Sequence, residues 1–404
     1  MSINPVVLSI PIYFVLILLE WGIDLYKGNK RYSFEDALAN IGCGITQQIV
    51  SLFTKVGVVA LYTYIYTNYR LFEMEHTWYW AIVLLILIDF FYYWAHRMTH
   101  QVNLFWVGHV VHHQSEEYNL SVALRQGTLQ TFFTSPFFWP IAILGFDPYW
   151  FVYVSAFNLL YQFWIHTEYI GKMGWFEYVF NTPSHHRVHH ATDSKYIDKN
   201  HGGSLIIWDR MFGTFAQETT HPTYGITVPL NSFNPLYATI QPAVSLWKRC
   251  TQTPEFTNKL QVLFRSPAWK YENEPETPLS LVKQQPKGTT KRVRIYTGIW
   301  FLVVMGLAAY LLFNYTQFSG LTTLAFVGTL LFIIWNIGNL NDGLPYGKWV
   351  EVIKTIGLVG ALVYAVFFLG LPISFMLFVM AFALGMLGLL RNEKTLVLES
   401  KTSV

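Results

Sequence analysis

Apolar runs long enough to cross about 30 Å of hydrocarbon recur from one end of this 404-residue chain to the other. They cover residues 5–25, 41–66, 78–95, 295–313, 321–337, 350–369 and 372–390. A segment of that kind must satisfy its backbone internally, which in lipid leaves a helix or a closed barrel. Continuous apolar runs without two-residue alternation select the helix. A further pair, 131–144 and 149–165, is interrupted at Gly145, Asp147 and Pro148, and its first member carries Pro136 and Pro140. Those turn signals predict a helical hairpin that dips into the membrane rather than two crossings. Composition agrees: 53% of residues are hydrophobic and only 13% charged, whereas soluble domains carry about a quarter charged residues. The expected fold is therefore all-α, a polytopic transmembrane helical bundle. A polar stretch at 168–291 has no spanning run, and the histidine-rich segments would form a cap on the cytosolic side.

Loop lysines and arginines set the orientation. Lys27, Lys30 and Arg31 follow the first run, and only Arg70 follows the second. Lys248, Arg249, Lys259, Arg265, Lys270, Lys283, Lys287, Lys291, Arg292 and Arg294 gather after the hairpin, and Arg391 and Lys394 after the last run. The parity of crossings places all these groups on one face, the cytoplasmic one. Residues 6–19 have no basic stretch before them and no small-residue cleavage site after, and so read as an anchor. Cys43 and Cys250 make no disulfide framework. A net charge of +3, with no basic run interleaved with aromatics, excludes a nucleic-acid groove. We expect two regions, residues 1–294 around the chemistry and residues 295–404 as a carboxy-terminal group of spans.

Eight of the thirteen histidines fall in three short windows. They are His96 and His100; His109, His112 and His113; and His186, His189 and His190, with spacings HxxxH, HxxHH and HxxHH. On a helix, residues three or four apart share a face, so each window can aim imidazoles at a common point. Eight imidazoles exceed the four or so that one zinc-like ion takes, and two ions are expected. Imidazole suits zinc, copper, iron or nickel, so spacing leaves the metal open. Neutral nitrogen ligands at a membrane border favour redox chemistry with dioxygen over hydrolysis. His166, where the hairpin returns to the cytoplasmic face, is the candidate to complete the shell, while His185 and His201 are left open. Asp89, two turns before His96 inside an apolar run, is costly there unless paired or functional. It is the first candidate to orient a ligating histidine, with Glu117 and Asp198 behind it. Arg97, Arg125 and Arg187 are expected at headgroup level, Arg125 as a holder of a substrate's polar end. The aromatics Phe133, Phe137 and Trp164 would line the way for a lipid chain. His76 and His221 read as structural.

The three boxes resemble the fatty acid hydroxylase and sterol desaturase superfamily. The strings HVVHHQSEEYNLSVALRQ (109–126), NLLYQFWIHTE (158–168), NTPSHHRVHH (181–190) and YIDKNHGGSLIIWDRMFGTF (196–215) are similar to those of the alkylglycerol monooxygenases within it. This resemblance implies two iron ions, for which zinc can substitute in purified protein, with His166 carried over as a ligand and dioxygen as co-substrate. It further implies tetrahydrobiopterin as the reductant and an ether lipid as substrate, cleaved to an aldehyde and a glycerol derivative. The HPGG signature of a haem-binding cytochrome b5 module is absent, as His221 and Pro222 continue into Thr223 and Tyr224, so a separate electron donor is implied. The boxes alone leave open a hydroxylase or desaturase of sterols, fatty acyl chains or carotenoids. A metal transporter or sensor is the alternative of another class.

Overall fold

The structure, a computed structural model, describes residues 5–274, 289–344 and 349–357, together with positions 383, 385, 386 and 388. Every regular element among them is helical; the only β pairings are the isolated antiparallel bridges Phe180–Leu205 and Ala191–Tyr224. The helices are α1 (Pro5–Lys27), α2 (Phe34–Tyr69), α3 (Trp78–Gln101), α4 (Asn103–His113), α5 (Gln130–Thr134), α6 (Trp139–Leu144), α7 (Pro148–Trp164), α8 (Pro183–His189), α9 (Ile207–Met211), α10 (Pro235–Gln252), α11 (Phe256–Phe264), α12 (Lys291–Asn314) and α13 (Gly320–Asn341). Among the described residues, five helical stretches are long and apolar enough to span a bilayer: Ser9–Lys27, Phe34–Tyr69, Trp78–Gln101, Lys291–Gln317 and Gly320–Asn341. Residues 349–357 are helical; the rest of the 350–369 run lies outside the described residues, as do Lys283, Lys287 and, but for isolated positions, the 372–390 run.

The chain divides into two compact units, which interleave in sequence. One comprises residues 1–33, 50–229 and 239–281; the other comprises 34–49, 230–238 and 282–404. In the first unit, α3 runs six residues past the apolar stretch, so His96 and His100 extend a spanning helix. A single extended residue, Val102 (φ −117°, ψ 115°), then reverses the chain into α4, which packs on α3. Asn103 secures that corner by donating from its backbone N–H to Arg265 O (2.9 Å) and from its amide to Val262 O (3.0 Å). The interrupted pair at 131–165 is a hairpin of short pieces: α5, a 3-10 turn at Ser135–Phe138, α6 and the 17-residue α7. Gly145 turns it at φ +103°, where an added Cβ would stand 2.0 Å from Phe72 O, so only glycine fits. Asp147 caps α7 by accepting from Trp150 N (3.1 Å), with Pro148 in the first turn, as helix starts favour. Leu84 and Ile88 of α3 pack against Ile141, Phe146, Trp150 and Val154. On the other flank, Tyr13 of α1 stacks on Phe163 at 4.0 Å. These contacts hold α7 against α3 on one side and α1 on the other.

In the second unit, α12 and α13 pack together. Glu35 there accepts from the backbone and hydroxyl of Thr289 (2.8 and 2.7 Å) and from Arg294 Nε (2.9 Å). Buried Glu351 pairs with Lys354, whose ammonium lies 3.8 Å from the Trp300 ring centre. Cys43, in this unit, and Cys250, in the first, form no disulfide.

Candidate metal centre

Nine histidines converge between the ends of α3, α4, α7 and α8, none more than 7% exposed. They sort into two groups: His96, His100, His109, His113 and His189 in one, and His112, His166, His186 and His190 in the other. Within each group one nitrogen per ring lies within 4.8 Å of all the others. Helical geometry explains the division. His109 and His113 are four apart on α4 and share a stripe, whereas His112 is turned from His113 by about 100° and faces the second group. The third window repeats this in mirror order, His186 and His190 pairing in the second group while His189 joins the first. Each HxxHH box thus serves both groups, which a single i,i+4 pair cannot do.

The backbone dictates which nitrogen faces inward. Nδ1 of His96, His112, His166 and His189 donates to the carbonyls of His201 (2.8 Å), Arg125 (2.9 Å), Gln162 (2.8 Å) and Lys199 (2.9 Å). A carbonyl only accepts, so Nδ1 carries the proton and Nε2 presents a bare lone pair. His112 Nε2 and His166 Nε2 nevertheless stand 3.2 Å apart. Two lone pairs at that separation repel, and a cation between them removes the repulsion. His186 Nε2 is 3.0 Å from His166 Nε2, and His190 Nε2 is 3.1 Å from His112 Nε2. Imidazole nitrogens about 2.0–2.1 Å from one ion stand roughly 2.9–3.4 Å from one another. The Nε2 atoms of His100 and His189 are buried with no hydrogen-bond partner, again as inward-facing ligand atoms would be. Burial, with the neighbouring imidazoles adding to it, holds His109, His113, His186, His189 and His190 well below the usual histidine range. Burial lowers His112 to about 4. These rings are therefore neutral at pH 7, the form that binds metal. The donor set fits two transition-metal ions.

Of the carboxylates expected beside the rings, Asp198 stands there and Asp89 and Glu117 do not. Asp89 is buried (1% exposed) but reaches no histidine. Its carboxylate accepts from Asn158 Nδ2 (2.5 Å), Ser204 N (2.6 Å), Leu205 N (3.1 Å) and Trp208 Nε1 (2.9 Å). It acts on the 199–205 loop, whose carbonyls at 199 and 201 hold His189 and His96. An added Cβ on Gly203 would lie 2.9 Å from Asp89 Oδ1, and one on Gly202 2.4 Å from Leu205 O. That close approach is the use of the glycine pair. Asp209, missed in the sequence, is fully buried and accepts from the backbone N–H groups of His201 (2.8 Å) and Gly202 (2.7 Å). Its proximity to the Gly-Gly turn was the available signal. Asp198 Oδ1 is 3.5 Å from His100 Nδ1, and Glu117 accepts from Ser33 N (2.8 Å), away from the rings.

Arg125 and Arg187 are corrections. Arg125 is not at a headgroup: it is 2% exposed, with Nε donating to Val111 O (2.7 Å) and Nη2 to Gln114 Oε1 (2.9 Å). It braces the end of α4 and the carbonyl that orients His112. Arg187 is buried in a bidentate pair with Glu218 (2.9 and 2.8 Å). Phe133 and Phe137 pack on Phe105 (5.5 and 6.4 Å), and Trp164 on Tyr161 (5.5 Å). His185 lies outside both groups, its ring on Phe215 (5.4 Å). His201 is also outside both, although its buried ring is 5.1–5.8 Å from those of His96, His100 and His189. His76 pairs with Asp147 at the hairpin turn.

Residues 81–214, which include all nine rings, match the family described as fatty acid hydroxylase. The chain is 37% identical to an alkylglycerol monooxygenase of Xenopus tropicalis over 85% of its own length and 79% of that protein's. It is 38% identical to one of Homo sapiens (86% and 80%) and 34% identical to one of Danio rerio (86% and 79%). No solved structure matches it. Identity at this level over most of both chains, with apolar spanning helices and a paired imidazole cluster, makes this chain a membrane-embedded, lipid-hydroxylating monooxygenase belonging to the alkylglycerol monooxygenase family.

Proposed function

We propose that the chain binds two iron ions, one held by His96, His100, His109, His113 and His189 and the other by His112, His166, His186 and His190, and uses them to cleave ether lipids of the alkylglycerol type. The facing lone pairs of His112 and His166 carry this reading, because a cation accounts for them. Bound ferrous ions supply the site and the electrons for reductive activation of dioxygen. The chain's own part is to hold the rings in one tautomer through backbone carbonyls, to keep them unprotonated by burial, and to exclude water from an oxidising site. One oxygen atom of dioxygen enters the C–H bond beside the ether oxygen. The other leaves as water, with two electrons and two protons from the reductant. The resulting hemiacetal breaks its C–O bond to give a fatty aldehyde and the glycerol alcohol. A tetrahydropterin is the reductant we infer from the family, delivered by a separate donor system. The lysines and arginines clustered after α1 and along 248–294 support a cytoplasmic position for the metal centre.

Purified protein loaded with ferrous iron and given an alkylglycerol, a reduced pterin and dioxygen should release fatty aldehyde, with about two irons counted per chain. Full metal loading with no aldehyde overturns the substrate assignment. Lipid profiling of a deletion strain separates the alternatives, since accumulation of ether lipid marks this reading and accumulation of an unmodified sterol, acyl chain or carotenoid marks the other.

A further inference from the structure

Tyr118 adjoins the four-histidine group without belonging to it. Its buried ring lies 5.3 Å from that of His190 and 5.8 Å from that of His166, nearly parallel to the latter at 24°. Its hydroxyl is occupied by donation to Ile165 O (2.9 Å), so it offers the site no free polar group. The same ring stacks on Tyr224, with centroids 4.9 Å apart and planes at 20°. Tyr224 is positioned by the backbone bridge to Ala191, the residue after the third box, and its hydroxyl donates to Glu168 Oε1 (2.8 Å). Glu168 also takes Arg31 Nε (2.8 Å) and His221 Nε2 (3.0 Å), and the His221 side chain is 71% exposed. Rings in contact therefore run from the second histidine group to the protein surface, and a carboxylate waits at the outer phenol.

We propose that Tyr118 and Tyr224 form a discharge route, carrying an oxidising equivalent stranded in the four-histidine pocket to the surface when dioxygen is consumed with no lipid to hydroxylate. The proposal rests on the metal-oxygenase reading above. A phenol surrenders an electron only to a strong oxidant, so the pair is idle while the metals wait for mild reductant and acts only after dioxygen has been reduced in the pocket. The electron balance is one for one. Tyr224 loses one electron inward through Tyr118, reducing the oxidised metal centre by one equivalent, while its phenolic proton moves along the hydrogen bond to Glu168 Oε1. A surface reductant, a tetrahydropterin or ascorbate, returns one electron to the Tyr224 phenoxyl, and the proton moves back. The role is protective, because the histidines that line the pocket meet the same oxidant.

The test treats iron-loaded protein in detergent with hydrogen peroxide and no lipid, and compares wild type, Tyr224→Phe, Tyr224→Trp, Tyr118→Phe and, as an off-route control, Tyr178→Phe, whose ring is exposed (69%). Freeze-quenched electron paramagnetic resonance reads the radical, and peptide mass spectrometry reads oxidised histidine. Wild type and the Tyr178 variant should show a tyrosyl signal. Tyr224→Phe and Tyr118→Phe should lose that signal and oxidise their box histidines several-fold faster, and Tyr224→Trp should restore protection with an indole-type radical. Equal radical yield and equal histidine oxidation in wild type and Tyr224→Phe overturn the route while leaving the oxygenase intact. If loaded wild type forms no radical, oxidises no histidine and yields no aldehyde with substrate, the route falls together with the reading beneath it.

Discussion

Replacing Asp89 by alanine should damage one metal site and spare the other. The carboxylate accepts four hydrogen bonds, from Asn158, Ser204, Leu205 and Trp208. Each buried donor left without a partner costs about 1–3 kcal/mol. Three of the four belong to one short segment, so the 199–208 loop should shift to find new partners rather than bear that cost. That loop supplies the carbonyls of Lys199 and His201, which fix the tautomer and direction of His189 and His96. Both rings belong to the five-histidine group. His112 and His166 are oriented elsewhere, by Arg125 O and Gln162 O. Loss of such a carbonyl partner lowers metal affinity about 10–100-fold, or about 1.4–2.7 kcal/mol. Titration of metal-free protein with cobalt against a competing chelator should therefore show two sites of similar affinity in the parent, one of them weakened by that factor in Asp89→Ala. Asp89→Asn, which preserves shape and part of the bonding, should fall between. Equal weakening of both sites, or none, would refute the assignment of the loop to one group.

Arg125→Ala should give the mirror image: its side chain braces the segment whose carbonyl holds His112, so the four-histidine site should weaken in the same titration while the other persists. His166→Ala removes one of only four rings in that group and should reduce bound metal from two equivalents toward one by elemental analysis; unchanged metal content would remove His166 from the ligand set. Gly202→Ala places a Cβ 2.4 Å from Leu205 O, a backbone atom that cannot swing aside. It should cost about 1–3 kcal/mol, visible as a lower thermal midpoint and weaker metal binding, whereas wild-type behaviour would show the turn to be pliable. The metal-free fold should lose stability on acidification. His112, at about 4 when folded, is near 6.5 when unfolded; the unfolded chain binds more protons in that interval, so stability rises with pH across it. The other depressed rings of α4 and α8 act in the same direction. Thermal unfolding of metal-free protein should move to lower temperature between pH 7 and pH 5, and a midpoint independent of pH would contradict the buried, neutral rings.

The histidine boxes were legible because their information is local. Ligands three and four apart on a helix announce a shared face whatever the helix packs against, and His166 stood out at the end of a strongly apolar hairpin. The hairpin itself was marked by Gly145, Asp147 and Pro148, whose backbone demands hold in any context. Asp89 was recognisable as an acid that could not stand alone in an apolar run, but its partners are more than a hundred residues away, at Ser204, Leu205 and Trp208. No local pattern names them. The burial of Arg125 is hidden from the sequence for a related reason: an arginine near a membrane border is ordinarily interfacial, and only the return of its segment against the end of α4 buries it. Beyond its nearness to the Gly-Gly turn, Asp209 carries no local signal of its role, because an aspartate in the first turn of a short helix resembles an ordinary favourable charge.

From residue order alone came the helical class, the apolar spans and the candidate ligating rings, since hydrophobic length and helical periodicity are properties of neighbours along the chain. The tertiary structure decided how nine rings divide into five and four, which nitrogen of each faces inward, and which loop holds which group. Those outcomes depend on the angle at which α3, α4, α7 and α8 meet and on carbonyls delivered from distant segments. Such distances arise only when the chain has closed on itself.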